Sequence, residues 1–363
     1  MKNSSANVRA ADSNSTHKYP WKWYLSDLEK VQKNGLTVFS CFSCGGGSSM
    51  GYKLAGYDVI GNVEIDPRVM AVYQKNNHPR FPYLMDVRDF LKFEDLPPEL
   101  FNLDILDGSP PCSVFSIAGE REKGWNKEKV FREGQAKQKL DDLFFWFICI
   151  AERLQPKVVI AENVSGLLKG NAKGYVNEIF KAYDAAGYKV QLFLLNAAFM
   201  GVPQKRERCF FIAHRKDLEF PKLSLSFNEK PILFGEVRTE KGIFVDPKSV
   251  AGEMLAKRTH RDKDLADISE RIGNRRSGFS QKIDWDNAVA STNVSSSVSY
   301  RGYDGMRQSP DDKRNIQTFP QDYDFGNQDA NFITGMSVPP VMMAQVAGEV
   351  YEQWLKPYQK SSE

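Results

Sequence analysis

From Leu36 onward, short runs of β-branched and aromatic residues alternate with longer stretches of helical spacing. This rhythm restricts the chain to an α/β domain on a mostly parallel sheet. The expected strands are "LTVFSCF", "YDVIGNVEI", "LDILDG", "KVVIAEN", "KVQLFLLNA" and "RCFFIAHR". Between the third and fourth lies "LDDLFFWFICIAERLQ", whose apolar spacing and following Pro156 predict a buried helix. After Arg215 the rhythm stops. The prolines and isolated strands of "KDLEFPKLSLSFNEKPILFGEVRTEKGIFVDPKSVAGEM" predict a second, smaller domain reaching to Gln317. The closing "SVPPVMMAQVAGEVYEQWL" predicts a helix opened by proline, with an apolar face turned to the first domain.

At 363 residues, 41% hydrophobic and 26% charged, the chain has the material for a large core. No apolar run is long enough to span a bilayer, and "MKNSSANVRAADSNSTHKYP" lacks the apolar centre of a signal peptide, so a cytoplasmic location is expected. Five cysteines, scattered except for one "CFSC", argue against a disulfide framework or a zinc site. The net charge of +3 decides nothing about partners, because clustering matters more than the sum. Lys257, Arg258, Arg261, Lys263, Arg271, Arg275 and Arg276 do cluster, but Asp262, Asp264, Asp267 and Glu270 interleave with them. Internal ion pairs and a phosphate-binding patch are both open readings.

The first strand runs into "FSCGGGSSMG", then a helix, then a strand ending in "EIDP". Glycines here let a ligand approach the backbone, and an acid about 20 positions on can accept from ribose hydroxyls; Glu64 stands in that place. A tight strand-to-helix turn would account for the glycines alone. The full dinucleotide fingerprint is missing, and a further acid, Asp86 in "LMDVRDF", following what reads as a further short strand, can accept from an adenine amino group. The pair suits an adenosine without a pyrophosphate, as in S-adenosylmethionine.

"DILDGSPPCSVFSIAG" stops an apolar run at a carboxylate and turns through Gly108, Pro110 and Pro111 onto Cys112, beyond the carboxyl edge where such sheets bind ligands. Free cysteines are commonly inert core residues, but core burial does not explain a proline-stiffened loop at that edge. A nucleophile does. A thiolate beside a methyl donor suggests addition to carbon 6 of a cytosine, which makes carbon 5 an enamine carbon able to attack a methyl group. Such a ring needs a hydrogen bond or proton at nitrogen 3 and a donor to its exocyclic oxygen. "VVIAENVSG" places Glu162 and Asn163 at the same edge. In "GVPQKRERCFFIA", Arg206 and Arg208 alternate at a strand start and are expected to point the same way.

In order, "FSCGGGSSMG", "EIDP", "GSPPCSVFS", "AENV", "VPQKRER", "TFPQDYDF" and "GMSVPP" closely resemble the motif set of the DNA cytosine-5 methyltransferases of bacterial and phage restriction-modification systems. The resemblance runs from about residue 38 to 355, with a motif-poor gap near 216–300 where that family places its target-recognition region. It implies a Rossmann-like methyltransferase domain with a mixed seven-stranded sheet over 36–216 and 320–363, a DNA-reading domain over 217–319 and an extension over 1–35.

Carried onto this chain, the resemblance makes Cys112 the nucleophile and Glu162 the group at ring nitrogen 3. Arg208 holds the cytosine oxygen, and Arg206 supports the site. Phe42 lies against the donor adenine, Glu64 holds the ribose, and Asp86 holds the amino group. Pro111, Leu143 and Ser337 line the pocket, with Gly45, Gly46, Ile65 and Val87 also at the cofactor. The cofactor is S-adenosyl-L-methionine and no metal is implied. The partner is double-stranded DNA, from which the target base must be flipped. A cognate restriction endonuclease would act separately, and the chain is expected to be a monomer. The charged segment after Cys112 resembles the family's loop that closes on DNA.

Three positions depart from the pattern: Ser113 stands for Gln, Cys44 for Gly and Met336 for Asn. None is a reacting group. "YPWKWY" is expected to pack as an aromatic anchor. The alternatives are a transfer-RNA cytosine methyltransferase, which uses nearly the same motifs, and a catalytically inactive DNA-binding protein with the same fold. A nicotinamide-dependent dehydrogenase comes third.

Overall fold

The structure, a computed structural model, describes residues 17–111, 143–168 and 172–362. It divides into two compact units. The first comprises Val31–Leu195, Glu207–Ser226 and Met343–Glu363; the second comprises the described residues of Met1–Lys30, with Asn196–Arg206 and Phe227–Met342. The division differs from the sequence expectation: the described residues up to Lys30 join the second unit, and residues 217–226 join the first. The arginine-rich motif is cut between Arg206 and Glu207, and residues 320–342 fall in the second unit.

The first unit is built on a mixed seven-stranded sheet: β1 (Thr37–Cys41), β2 (Asp58–Glu64), β3 (Phe81–Leu84), β4 (Ile105–Gly108), β5 (Val158–Val164), β6 (Tyr188–Asn196) and β7 (Glu207–Arg215). Their spatial order is β3-β2-β1-β4-β5-β7-β6. The strands from β3 to β5 pair in parallel, and β7 runs antiparallel to β5. The order reverses between β1 and β4, the crevice at which open α/β sheets bind ligands. β3 is the short strand expected before Asp86, although no apolar run marks it. Its "FPYL" carries a proline and alternates half-buried with exposed, as suits an edge strand.

Among the helices that flank the strands are α1 (Gly47–Leu54), α2 (Pro67–Asn77), α3 (Val87–Lys92), α4 (Leu143–Leu154) and α5 (Ala172–Ala185). α2 begins where Asp66 accepts from the Arg68 amide and Pro67 supplies the first helical φ; α3 begins on Asp86 in the same way. α4 is the buried helix expected from its spacing, packed into the core by Phe144, Phe147, Ile148 and Ala151. It presses closely on the sheet: a β-carbon on Gly108 would lie 2.5 Å from the Phe147 ring. Neighbouring strand residues face opposite sides. Asp107 accordingly meets Tyr52 of α1 while Gly108 meets α4, so the two helices cover opposite faces.

The second unit is held by polar links as much as by apolar packing. Its two strands, β8 (Gln281–Asp284) and β9 (Val298–Arg301), pair in parallel. Arg301 is fully buried, 2.7 Å from the equally buried Asp312 carboxylate. Of the clustered basic residues, Arg271 pairs with Asp262 and Arg276 with Glu270, whereas Arg258 donates to the carbonyls of Leu255, Gly302 and Tyr303. Lys257, Arg261, Lys263 and Arg275 are exposed. The aromatic anchor is present: Trp23 is buried and its indole N–H donates to the Thr318 carbonyl at 2.9 Å. Among the described residues, no helix is long and apolar enough to cross a membrane.

Candidate active site

At the carboxyl end of β5, antiparallel pairing with β7 sets Val164 opposite Arg208 and Glu162 opposite Phe210. The Arg208 side chain reaches back along this ladder, and its Nε lies 2.8 Å from Glu162 Oε1, both side chains being mostly buried. A fixed guanidinium thus orients one carboxylate oxygen and leaves the other for a second partner. The next residue, Asn163, is buried; its Nδ2 donates to the Pro110 carbonyl at 3.1 Å, and its Oδ1 accepts from the Val164 amide. The proline turn is thereby tied to the strand that carries Glu162. Cys112 itself, with Ser113 and the charged segment behind it, lies outside the described residues. Pro111, the last described residue before it, is half-buried.

The glycine-rich turn is a short loop between β1 and α1. Phe42 (φ 52°), Cys44 (φ 45°) and Gly46 (φ 83°) all take left-handed backbone conformations. For a residue with a β-carbon that conformation costs about 1–2 kcal/mol, so Cys44 stands where glycine would be unstrained. The Cys44 amide donates to Glu64 Oε2, while Glu64 Oε1 accepts from the amides of Ile65 and Asp66. Burial pushes the Glu64 carboxyl up, and these three donors oppose it. Phe42 is half-buried, its ring centroid 6.4 Å from that of Phe147. α1 starts without a side-chain cap. One strand further out, Asp86 caps α3 and takes both arms of the Arg88 guanidinium at 2.9 and 2.6 Å. Burial would raise the Asp86 carboxyl, but Arg88 outweighs it and holds the group below the usual carboxylate range. Val87 and Leu143, the first residues of α3 and α4, are buried.

Arg206 and Arg208 do not share one strand face. Arg206 precedes β7 and belongs to the second unit, fully buried. Its Nη1 donates to the Asn293 carbonyl at 2.7 Å, and its Nη2 donates to the carbonyls of Gly335 and Ser337 at 3.2 and 3.0 Å. Ser337 is buried in the same unit, its hydroxyl donating to the Ile333 carbonyl. Met336 is half exposed. Gln204 of the same motif accepts from the Asn293 amide and donates to the Ile316 carbonyl. The segment near 216–300 that reads as motif-poor therefore supplies, through Asn293 alone, a carbonyl acceptor for Arg206 and an amide donor for Gln204. These partners are main-chain groups, which leave no trace in residue type.

A family model described as C-5 cytosine-specific DNA methylase matches residues 36–352. The chain belongs to this family. Among curated relatives, the type II methyltransferase M.NgoPII of Neisseria gonorrhoeae is 36% identical over 213 residues, 56% of each chain. M.Sau96I of Staphylococcus aureus is 27% identical over 92% of this chain and 79% of its own. The chain spans about half the length of several curated relatives that it matches. Among solved structures, a DNA modification methyltransferase encoded within an E. coli prophage superposes with a TM-score of 0.61 at 21% identity, covering 88% of this chain and 99% of its own. A Spodoptera frugiperda DNMT2 variant reaches 0.59 at 16% identity, covering 87% and 100%. At such identities the two likenesses concern the fold, a Rossmann-like methyltransferase domain with a mixed seven-stranded sheet.

Proposed function

We propose that this protein transfers a methyl group from S-adenosyl-L-methionine to carbon 5 of a cytosine flipped out of a specific duplex DNA sequence. The observation that carries the reading is the Arg208–Glu162 pair at the carboxyl end of β5, with neighbouring Asn163 fastening the Pro110–Pro111 turn that leads to Cys112.

The residues of the glycine-rich turn fit the proposed cofactor. Carboxylates at the ends of β2 and β3 suit hydroxyl and amino donors, Phe42 offers a ring face, and the uncapped start of α1 suits an anion. When bound, the cofactor supplies an electrophilic methyl on a sulfonium. Glu64, Asp86 and Phe42 would hold it, with Gly45, Gly46, Ile65, Val87, Pro111 and Leu143 the further candidates. On the base, the Cys112 thiolate adds to carbon 6 while Glu162 holds a proton or hydrogen bond at nitrogen 3. Arg208 donates to the exocyclic oxygen as charge develops there, and Arg206 acts as a structural clamp. Carbon 5 takes the methyl group and then loses its proton to water, and the thiolate leaves from carbon 6. The second unit is assigned to DNA reading. The chain would act as a monomer in the cytoplasm, with any cognate endonuclease separate.

The test is transfer of labelled methyl from S-adenosylmethionine to mixed duplex DNA and to total transfer RNA, with Cys112→Ala alongside and base-resolution mapping of the product. Labelled 5-methylcytosine in DNA, absent with the variant, is expected. Labelling of transfer RNA alone would replace this reading by an RNA methyltransferase, and labelling of neither by an inactive binding protein.

A further inference from the structure

The carboxylate at which the apolar run of β4 ends, Asp107, has no part in the mechanism above, yet it is buried on the face of the sheet that α1 covers. Its Oδ2 accepts from Ser40 Oγ at 2.7 Å and its Oδ1 from the Tyr52 hydroxyl at 3.2 Å. The places of the three residues matter more than the bonds. Ser40 lies on β1, two positions before Phe42; Tyr52 lies on α1, the helix that follows the turn; Asp107 lies on β4, three positions before Pro110. One carboxylate therefore fastens both arms of the glycine-rich turn to the strand leading to the thiol.

We propose that Asp107 is a positioning residue for methyl transfer, holding the cofactor turn in register with the Pro110–Pro111 loop through Ser40 and Tyr52. The proposal rests on the methyltransferase reading for the identity of the ligand, but not for the bridge itself.

A purely structural carboxyl here would be an expensive choice, because an apolar residue would fill the space without desolvating an acid. Burial pushes the Asp107 carboxyl up to about 7, against the Ser40 and Tyr52 hydroxyls, and the charge of Glu162 adds to the rise. The titratable groups that face it are Cys41 on β1, Tyr52 on α1, Tyr73 on α2, which shares a hydrogen bond with Ser49, and Glu162 on β5. All are neutral or acidic. The bridge therefore has its two good acceptors only when Asp107 is ionised, and it titrates in the neutral range.

The experiment compares wild type with Asp107→Asn, Asp107→Leu and Tyr52→Phe. It measures the dissociation constant of S-adenosylmethionine and the kcat/KM of methyl transfer between pH 6 and 8.5, with thermal unfolding of the ligand-free proteins over the same range. Wild type should bind the cofactor at least about threefold more tightly at pH 8 than at pH 6, and Asp107→Asn should lose that slope. Asp107→Leu should weaken binding about tenfold or more, the equivalent of one lost hydrogen bond to a charged group. If Asp107→Leu does not fold, Tyr52→Phe, which removes one hydroxyl and no carbon, should still weaken binding severalfold. Folded variants that bind within twofold of wild type at every pH, with parallel unfolding profiles, overturn the proposal. If wild type binds the cofactor but methylates neither DNA nor transfer RNA, the functional reading fails and the binding series still decides the role of Asp107. If wild type binds none, the unfolding profiles decide it: a pH slope lost in Asp107→Asn supports a titrating bridge, and its persistence overturns it.

Discussion

Arg208 Nε and Glu162 Oε1 are 2.8 Å apart across the antiparallel β5–β7 pair. One side chain proposed to act at the base is thus already oriented by another before any substrate arrives. Glu162→Gln keeps an acceptor for Arg208 but removes the acid. It should lower kcat by about 10²–10⁴-fold while leaving the melting temperature nearly unchanged. Arg208→Ala should lower both, costing about 3 kcal/mol or more because a mostly buried carboxylate loses its partner. Single-turnover methyl transfer and thermal unfolding on the same preparations separate the two effects.

Asn163→Ala breaks the bond to the Pro110 carbonyl without touching any proposed reacting group. A loss of about 1–2 kcal/mol is expected in urea unfolding, the cost of leaving a buried carbonyl without its donor. The rate should fall more than cofactor affinity, since the loosened turn leads to Cys112 and only Pro111 of it is a candidate cofactor contact. Equal losses in both would argue that the asparagine serves the whole sheet edge.

Gly108→Ala drives a methyl group into the Phe147 ring. The overpacking should cost about 1–3 kcal/mol, and Phe147→Leu in the same chain should recover part of it. A double-mutant cycle read by denaturant midpoints measures the coupling; additivity would mean that α4 shifts to make room.

Lys313 supplies a pH signature in the second unit. Burial lowers its ammonium to about 8, with Asp284 and Asp312 opposing the shift, and Nζ donates to Ser299. Between that value and the ordinary 10.5 the unfolded chain binds a proton that the folded chain does not, so this group makes stability rise with pH across that window and contributes no slope below it. The increment is on the order of 3 kcal/mol. Lys313→Met should abolish the rise, as followed by unfolding from pH 7.5 to 10.5.

Much of this was legible in residue order, and the limits have physical causes. Buried strands advertise themselves by apolar runs, so β1, β2, β4, β5, β6 and β7 were each expected within a residue or two. β3 showed only through the acid that follows it, because an edge strand needs neither continuous apolarity nor freedom from proline. Glu162 and Asp86 could be placed at strand ends from sequence, yet the engagement of Asp86 with Arg88 depends on helix-start geometry. Arg206 misled most. Alternation predicts a shared direction only within one strand, and β7 begins one residue too late. Asn163 was noticed for its edge, but its partner is a main-chain carbonyl, and a backbone acceptor looks the same beneath every side chain.

The same blindness has a use. Arg206 and Gln204 grip Asn293, Gly335, Ser337 and Ile316 through peptide groups, with the Gln317 side chain as one further partner of Gln204, so the grip does not depend on which residues occupy most of those positions. Gly335 is the exception, since a β-carbon there would lie 2.3 Å from the Ser295 amide nitrogen. The arrangement behaves as a socket indifferent to spelling. Side chains around residue 293 could be rewritten while the arginine and glutamine still find their peptide partners.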